Sequence, residues 1–540
     1  MDRARHIRNY DLHSWAGITL GLIVYLVCFS GSFAMFHYEI KTWEDPAARI
    51  AVSDNPADIN EVYLDWLNET VGSSEIENLS FSFPTAHAPY YSAFVRYHDE
   101  NDAHVNERQR WDPNTAASLA TPWREGGLSE WIRDFHRDFM WPNILGGRTI
   151  GRSLVGIVGI VLMLAILSGV IAHTKIREEA YSMRLKRSQR LKWQDSHKVV
   201  GIWGLPFFSM IAFTGAYLGV IVIIAQLVSA IAFKGDIERL VELVLGAPVE
   251  ASGQQVQMIS LDELRTMQHP ESGKLPISVN MRNYGDAVAE FDVLYHGGNT
   301  LRHFETVRMS GAVDNSTPPT PIRQEFATGR IADAVAPLHY GTYGGIWLKF
   351  LYFILGMGMA VVTALGSMMW IERRKHGNEG AKSLTFYNRL GYFNTGIVMG
   401  LPVATLSIFY LDKLYAGAEA GRILATGWTF FAVWALGLVY AWVRRDDYRT
   451  TRELLILTGS LAAGIWILNG AVTGQWFFQY LGAGHSSAAW VDVMMLIGGL
   501  ASIAAGLLLP AERLDKQARR AKAKALAEAT EMEQASLPAE

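Results

Sequence analysis

Eight stretches of the chain stay apolar for roughly 20 residues, long enough to cross a hydrocarbon layer about 30 Å thick. They are Trp15–Phe36, Leu154–Ala172, Val199–Phe233, Ile346–Ile371, Asn394–Leu411, Arg422–Trp442, Leu454–Val472 and Val491–Leu509. The third is long enough to overshoot the bilayer or to tilt within it. Two long polar inserts interrupt the first half of this pattern, and their periodicity differs from that of the spans. In the first insert, a helical pattern at Asn60–Val71 is followed by alternation at Tyr90–His98 and a turn-linked strand at Arg108–Thr121. In the second, Ser260–Gln268, Ala287–His296 and Glu305–Thr317 repeat that order. Helix, strand and turn-linked strand predict two small α+β domains, and Asp112-Pro113-Asn114 supplies the turn chemistry of a hairpin. Spans five to eight have short connections and no comparable insert. The fold class expected is a polytopic α-helical membrane protein, with a duplicated four-helix core, two α+β inserts and four additional C-terminal transmembrane helices.

Charge orients the spans. Basic residues crowd alternate loops: Arg3, Arg5 and Arg8 before the first span, Lys175 to Lys192 after the second, Arg373, Arg374 and Lys375 after the fourth, Arg444 and Arg445 after the sixth. The positive-inside rule then puts both termini in the cytoplasm and both inserts on the opposite face of the membrane. The first insert fits, since it opens with an acidic run from Glu44 to Glu77. The expected division is residues 1–38 (N-terminus and first span), 39–150 (first insert), 151–233 (spans two and three with the basic loop between them), 234–340 (second insert), 341–375 (span four), 376–510 (spans five to eight) and 511–540, a solvated tail. The first span is too long for a signal-peptide core, and no small-residue cleavage site follows it. The single cysteine, Cys28, excludes an intrachain disulfide, a CxxC redox pair and a cysteine-held iron–sulfur cluster. The net charge of −4 gives no indication of a nucleic-acid partner.

The candidate chemistry lies in histidines at the ends of the spans. Asp11-Leu12-His13 through Gly17 and Asp195-Ser196-His197 through Gly201 share the spelling Asp-x-His-x-x-x-Gly, and each leads into an apolar span. An offset of 184 positions (195 − 11) aligns them and also brings Phe29–Gly31 onto Phe213–Gly215. The returning spans align more weakly, with Gly169 on Gly366. Such a parallel repeat implies a pseudo-two-fold axis along the membrane normal. His13 and His197 then lie at one depth, and two neutral imidazoles facing across a bundle are the usual axial pair of a six-coordinate haem. Asp11 and Asp195 are expected as N-caps or as partners that orient the imidazoles, with Gly17 and Gly201 removing bulk on the histidine face. His136, in "DFHRDFMWPNILGG", and His339, in "PLHYGTYGG", form a second, looser pair at the opposite face. His173 has no repeat partner, because Trp370 stands in its place; it is a helix-end cap, a contact to a cofactor carboxylate, or an alternative inner ligand. Interfacial anchoring remains the plain alternative for every one of these residues, and zinc or copper is disfavoured because neither pair has a third close ligand. His37, His376 and His485 are expected at the surface, and His87, His98, His104, His269, His296 and His303 on loops without a special role.

The four histidine motifs together with two outside inserts resemble the PepSY-associated transmembrane family over about residues 10–375. The hairpin segments "RWDPNTAASLAT" and "VRMSGAVD" are similar to PepSY domains, although the usual Asp-x-x-Thr-Gly turn is degraded in both. Members of that family include inner-membrane ferrisiderophore reductases. The resemblance therefore implies two b-type haems and transmembrane electron transfer to a periplasmic ferric siderophore, serving iron uptake. No Gly-x-Gly-x-x-Gly fingerprint or P-loop stands in the loops of the basic side. The implied electron donor is then a quinol or a protein on the cytoplasmic side. Two other readings stay open from the sequence: a transporter of an iron complex or other small solute, and a membrane sensor or regulator without redox activity.

Overall fold

The computed structural model describes residues 3–509, apart from 47–48, 73, 100–101, 120–126, 174, 185–188, 238, 241–248, 298–300, 303, 314–318, 323–326, 378–381 and 485. The tail expected at 511–540, His303 and His485 lie outside the described residues, as does the side chain of His376. The chain begins with α1 (Arg3–Thr19), α2 (Gly21–Ala34) and α3 (His37–Glu44). The first insert contributes α4 (Asn60–Val71), β1 (Ile76–Ser82), β2 (Tyr91–His98), β3 (His104–Trp111) and α5 (Leu128–Asp138). Then come α6 (Gly147–Ala172), the short α7 (Ile176–Glu179) and α8 (Gln189–Ala232). The second insert contributes α9 (Leu261–Thr266), β4 (Pro276–Arg282), β5 (Glu290–His296), β6 (Phe304–Ser310), β7 (Thr320–Ile322) and α10 (Ala327–Tyr340). The chain closes with α11 (Gly345–Gly377), α12 (Lys382–Leu414), α13 (Glu419–Arg444), α14 (Asp447–Thr473), α15 (Phe477–Gly482) and α16 (Ser486–Leu508).

Seven of these helices, α6, α8, α11, α12, α13, α14 and α16, are long and apolar enough to cross a membrane. The eighth candidate is a bent pair, α1 and α2, meeting at an angle of 65°. The continuous first span expected at Trp15–Phe36 is therefore broken at Leu20. Two local features favour the break. Thr19 turns its hydroxyl back onto the carbonyl of Trp15 (2.7 Å), a contact that competes with helix continuation. Gly21 opens the next segment with no side chain to pack. The helix that the 184-position offset aligns with it, α8, runs unbroken for 44 residues with Pro206 inside it.

Close crossings hold the helices together. A Cβ on Gly156 of α6 would lie 2.8 Å from the backbone of Gly219 on α8, so only glycine lets these helices meet at that depth. Gly459 of α14 and Gly499 of α16 make a second such crossing, 2.5 Å from Cβ to carbonyl oxygen. A buried polar cluster joins the C-terminal helices to the front of the chain. The Asp492 carboxylate of α16 accepts from Trp43 Nε1 on α3 (2.8 Å), from Asn469 Nδ2 on α14 (3.0 Å) and from the Tyr480 hydroxyl of α15.

The two inserts, expected as separate α+β domains, share one antiparallel sheet in the order β3-β2-β1-β4-β5-β6-β7. Its centre is the β1–β4 pair, with Leu79 opposite Met281 and Phe81 opposite Val279. Each half, three strands from the first insert and four from the second, would leave an edge open at its first strand, and joining those edges satisfies both. Inward residues of both halves, among them Leu79, Phe81, Tyr91, Val279, Phe291 and Val293, pack into one core under α4 and α9. The two helices cap each other. Asp262 Oδ2 accepts from the Asn60 N–H (3.0 Å), and Asn60 Oδ1 accepts from the Leu261 N–H (2.9 Å).

Candidate functional site

The four leading histidines meet in two pairs, at opposite ends of the helices. His136, on α5, and His339, on α10, lie at the sheet end, with ring centroids 6.2 Å apart and planes inclined by 20°. His13, on α1, and His197, on α8, lie at the other end, with centroids 6.0 Å apart and planes inclined by 73°. With metal–nitrogen bonds of about 2.0–2.1 Å and ring centres about 1.1 Å beyond each nitrogen, two imidazoles on opposite sides of one ion would have centroids about 6.3 Å apart. Both observed spacings match that value.

Each ring is fixed by its Nδ1. His13 Nδ1 meets the Ala165 carbonyl at 2.8 Å, His197 Nδ1 the Val362 carbonyl at 2.9 Å, and His136 Nδ1 the Val27 carbonyl at 3.0 Å. A carbonyl only accepts, so the proton sits on Nδ1 and the Nε2 lone pair is left for a ligand bond. His339 reaches the same state by another route. Its Nδ1 lies 2.9 Å from Thr214 Oγ1, whose own hydrogen is directed to the Met210 carbonyl (2.8 Å). Thr214 therefore accepts from His339. Among the described residues no hydrogen-bond partner is found for Nε2 of His13, His136, His197 or His339. Burial holds the sheet-end pair well below the ordinary imidazole value of 6.5, His136 at about 4 and His339 at about 3, so both are neutral and able to ligate.

A glycine stands against each ring. A Cβ would come within 2.6 Å of His136 Cε1 at Gly31, 3.0 Å of His13 Cε1 at Gly169, 3.1 Å of His339 Cε1 at Gly215 and 3.5 Å of His197 Cε1 at Gly366. Gly31 and Gly215, like Gly169 and Gly366, are the glycines that the repeat aligns. The sheet-end pair also lines a cavity of about 350 Å³, walled by Val27, Val155, Leu162 and Ile211 and edged by Arg152 and Lys349. An apolar cavity with two free imidazole nitrogens and a cationic edge is chemically suited to a flat, anionic, iron-bearing macrocycle. The residues fit haem.

Several expected roles move. Asp11 and Asp195 lie inside helices α1 and α8 and so are not N-caps, and the imidazoles they were to orient bond to carbonyls instead. Asp195 serves the basic loop. It accepts from the Arg184 backbone N–H (2.9 Å) and pairs with the Arg184 guanidinium at 2.6 Å. A Cβ on Gly17 or Gly201 would meet nothing within 4 Å, so clearance of the rings falls to Gly169 and Gly366. His173 follows the last turn of α6 and places its Nε2 3.1 Å from Glu179, on the chain segment leading to α8. Neither a hydrogen bond nor a ring contact joins it to His13 or His197 among the described residues. His37, expected at the surface, is half-buried on the wall of the sheet-end cavity with its Nδ1 3.2 Å from the Ser129 carbonyl.

Comparison with known proteins matches residues 10–373 to the family described as the PepSY-associated TM region. The chain belongs to this family. All four paired histidines fall inside the matched segment, and α12 to α16 lie beyond it. An uncharacterized protein of Pseudomonas aeruginosa is 28% identical over 339 residues, which cover 59% of this chain and 84% of that one. This PepSY-associated protein is thus a multi-pass membrane protein with, among the described residues, seven candidate spans, or eight counting the bent pair, and one antiparallel sheet.

Proposed function

We propose that the chain is a transmembrane electron-transfer protein of the bacterial inner membrane, built on a duplicated four-helix core, that uses two b-type haems to reduce a ferric siderophore complex for iron uptake. The observation that carries this reading is the fourfold recurrence of one arrangement: an imidazole held at Nδ1, free at Nε2, backed by a glycine, and paired with a second ring at 6.0 or 6.2 Å between centroids. His13 and His197 would hold one haem, and His136 and His339 the other. Bound haem supplies a one-electron Fe(III)/Fe(II) couple, tuned by its axial ligands and by burial.

The chain's own residues do the positioning. Ala165, Val362, Val27 and Thr214 hold the rings in the ligating tautomer, an arrangement whose loss usually costs metal affinity. His197 and Gly215, which backs His339, are both on α8 and 18 residues apart (215 − 197), about 27 Å at 1.5 Å per residue. The two pairs are therefore spaced across about the thickness of the hydrocarbon layer. Arg152 lines the sheet-end cavity and has no hydrogen bond or ion pair among the described residues, so it would meet a cofactor carboxylate. With both termini cytoplasmic, the sheet faces the periplasm, where a ferric complex would be reduced. Chelators built for hard Fe(III) hold Fe(II) poorly, so reduction releases the metal. A quinol or a cytoplasmic protein would supply the electrons.

The test is spectroscopic. Protein purified from haem-replete cells should give a reduced-minus-oxidised b-type spectrum with two haems per chain. His13→Ala and His136→Ala should each lower that count by one. A wild-type protein without a haem band sinks the proposal.

A further inference from the structure

Away from both histidine pairs, the outer edge of the sheet gathers a second kind of cluster. His98 ends β2 and His104 begins β3, and the two are directly opposed in the antiparallel register. Opposed residues share a face, and their ring centroids lie 4.6 Å apart. Glu77 joins them through an irregularity in β1. Asn78 pairs with Arg96 but Ile76 pairs with Tyr97, so Glu77 is an extra residue on its strand. Regular alternation would send its side chain away from the face that Asn78 and Arg96 share. The bulge turns it onto that face, and one carboxylate oxygen, Oε1, stands 2.7 Å from His98 Nε2 and 2.8 Å from His104 Nδ1. The other oxygen, Oε2, faces Arg96 at 3.9 Å. Behind His98, its Nδ1 lies 2.9 Å from the Asp102 carboxylate. The two are within ion-pair distance but not in hydrogen-bond geometry, Nε2 is the nitrogen turned toward Glu77, and a small rotation of the exposed Asp102 would align the carboxylate–histidine arrangement that prepares an imidazole for a metal.

We propose that Glu77, His98 and His104 form a binding site for a divalent first-row transition-metal ion, with Asp102 positioning His98. The three ligand atoms all lie within 4.8 Å of one another. Tetrahedral ligands about 2.0–2.1 Å from an ion are about 3.3–3.4 Å apart. An ion entering between Glu77 and the imidazoles therefore asks the side chains to open by about half an ångström, which the exposed Glu77 and His104 can supply by rotation. Two imidazoles and one carboxylate select a borderline ion such as Zn²⁺ or Fe²⁺ over Mg²⁺ or Ca²⁺, which prefer all-oxygen shells. Three protein ligands leave further positions to water, so the ion is exchangeable. None of these residues touches the paired histidines, and the site stands whether or not the chain binds haem.

Zn²⁺ titration of the full-length, tag-free protein in detergent tests it, using calorimetry at neutral pH against the same protein carrying His98→Ala and His104→Ala. One equivalent of Zn²⁺ bound by the wild type should be missing from the double variant. Glu77→Gln, which keeps the shape of the side chain, should weaken that equivalent at least tenfold. Asp102→Asn should weaken it about tenfold or more, and asparagine tolerates the left-handed backbone at this position (φ 58°). Mg²⁺ should not compete. Equal Zn²⁺ stoichiometry in the wild type and the double variant, with the thermal transition unchanged, would mean an ion-paired cluster only and overturns the site. If the double variant unfolds, Glu77→Gln and Asp102→Asn decide alone: unaltered Zn²⁺ affinity in both refutes the proposal.

Discussion

Replacing each ring-backing glycine by alanine makes a graded experiment, because the four sites differ in one distance. The added methyl would stand 2.6 Å from its imidazole at Gly31, 3.0 Å at Gly169, 3.1 Å at Gly215 and 3.5 Å at Gly366. Carbon–carbon contact is most favourable at about 3.5–4.0 Å. Gly366→Ala therefore meets ordinary contact, whereas Gly31→Ala falls short by about 0.9–1.4 Å. The His136 ring must move, and with it the 3.0 Å bond from Nδ1 to Val27. Overpacking of this kind costs about 1–3 kcal/mol. Alanine returns about 1 kcal/mol in helix propensity, which leaves a net loss of up to about 2 kcal/mol at Gly31 and none at Gly366. Where the displaced ring must be driven back to bind, that cost falls on the bound state and lowers haem affinity by up to about 30-fold. Haem retention against apomyoglobin as a scavenger reads this directly, with haem per chain measured as the pyridine haemochrome. The expected order of loss is Gly31, then Gly169 and Gly215 together, then Gly366 with wild-type retention. A thermal melt of each variant separates lost ligation from global damage. Gly366→Ala losing as much haem as Gly31→Ala would refute the reasoning, as would four variants all equal to wild type.

Other outcomes follow from named contacts. On the proposed two-haem reading, Arg152→Ala should loosen haem at the sheet-end pair without altering the bis-imidazole spectrum, and an unchanged off-rate would count against its role in the cavity. Asp492→Ala removes the shared acceptor of Trp43, Asn469 and Tyr480 and should destabilise the protein by about 3 kcal/mol or more, since several buried donors lose their partner; the melting temperature in detergent measures it. Trp43→Phe removes the indole bond and also empties part of a fully buried ring site, so it should cost about 2 kcal/mol or more. Asp286 is held down to about 2 by hydrogen bonds from the Ser252 hydroxyl and the Val288, Ser252 and Gly253 N–H groups, with 3.8 its ordinary value. Its stabilisation is present above that ordinary value and lost as the pH falls toward 2, so Asp286→Asn should flatten the acid dependence of sheet stability between about pH 4 and pH 2. An unaltered acid profile would contradict that assignment.

The spans were legible in the chain itself. Hydropathy over about 20 residues is a local property that lipid enforces without help from distant contacts, and the eight expected spans correspond to seven helices and one bent pair. The histidine pairing was legible for a related reason. The shared spelling Asp-x-His-x-x-x-Gly at an offset of 184 let His13 and His197 be matched before any contact was known. What depended on non-local contacts could not be read. The strands of both inserts were visible as alternation, but nothing in alternation says that Leu79 will face Met281, about 200 residues away, and merge the inserts into one sheet. Asp11 and Asp195 looked like caps because they precede histidines at span mouths. Helix beginning earlier at Arg3 and at Gln189 took that role from them. Gly31, Gly169, Gly215 and Gly366 were visible in the repeat, yet only packing revealed which ring each one backs. His98 and His104 read as loop residues until strand register opposed them and a single extra residue turned Glu77 onto their face. Local pattern determined which segments are long and apolar enough to cross a membrane and which histidines to match with each other. Tertiary contact decided which nitrogen of each ring is free, because that depends on a carbonyl or hydroxyl brought from another helix.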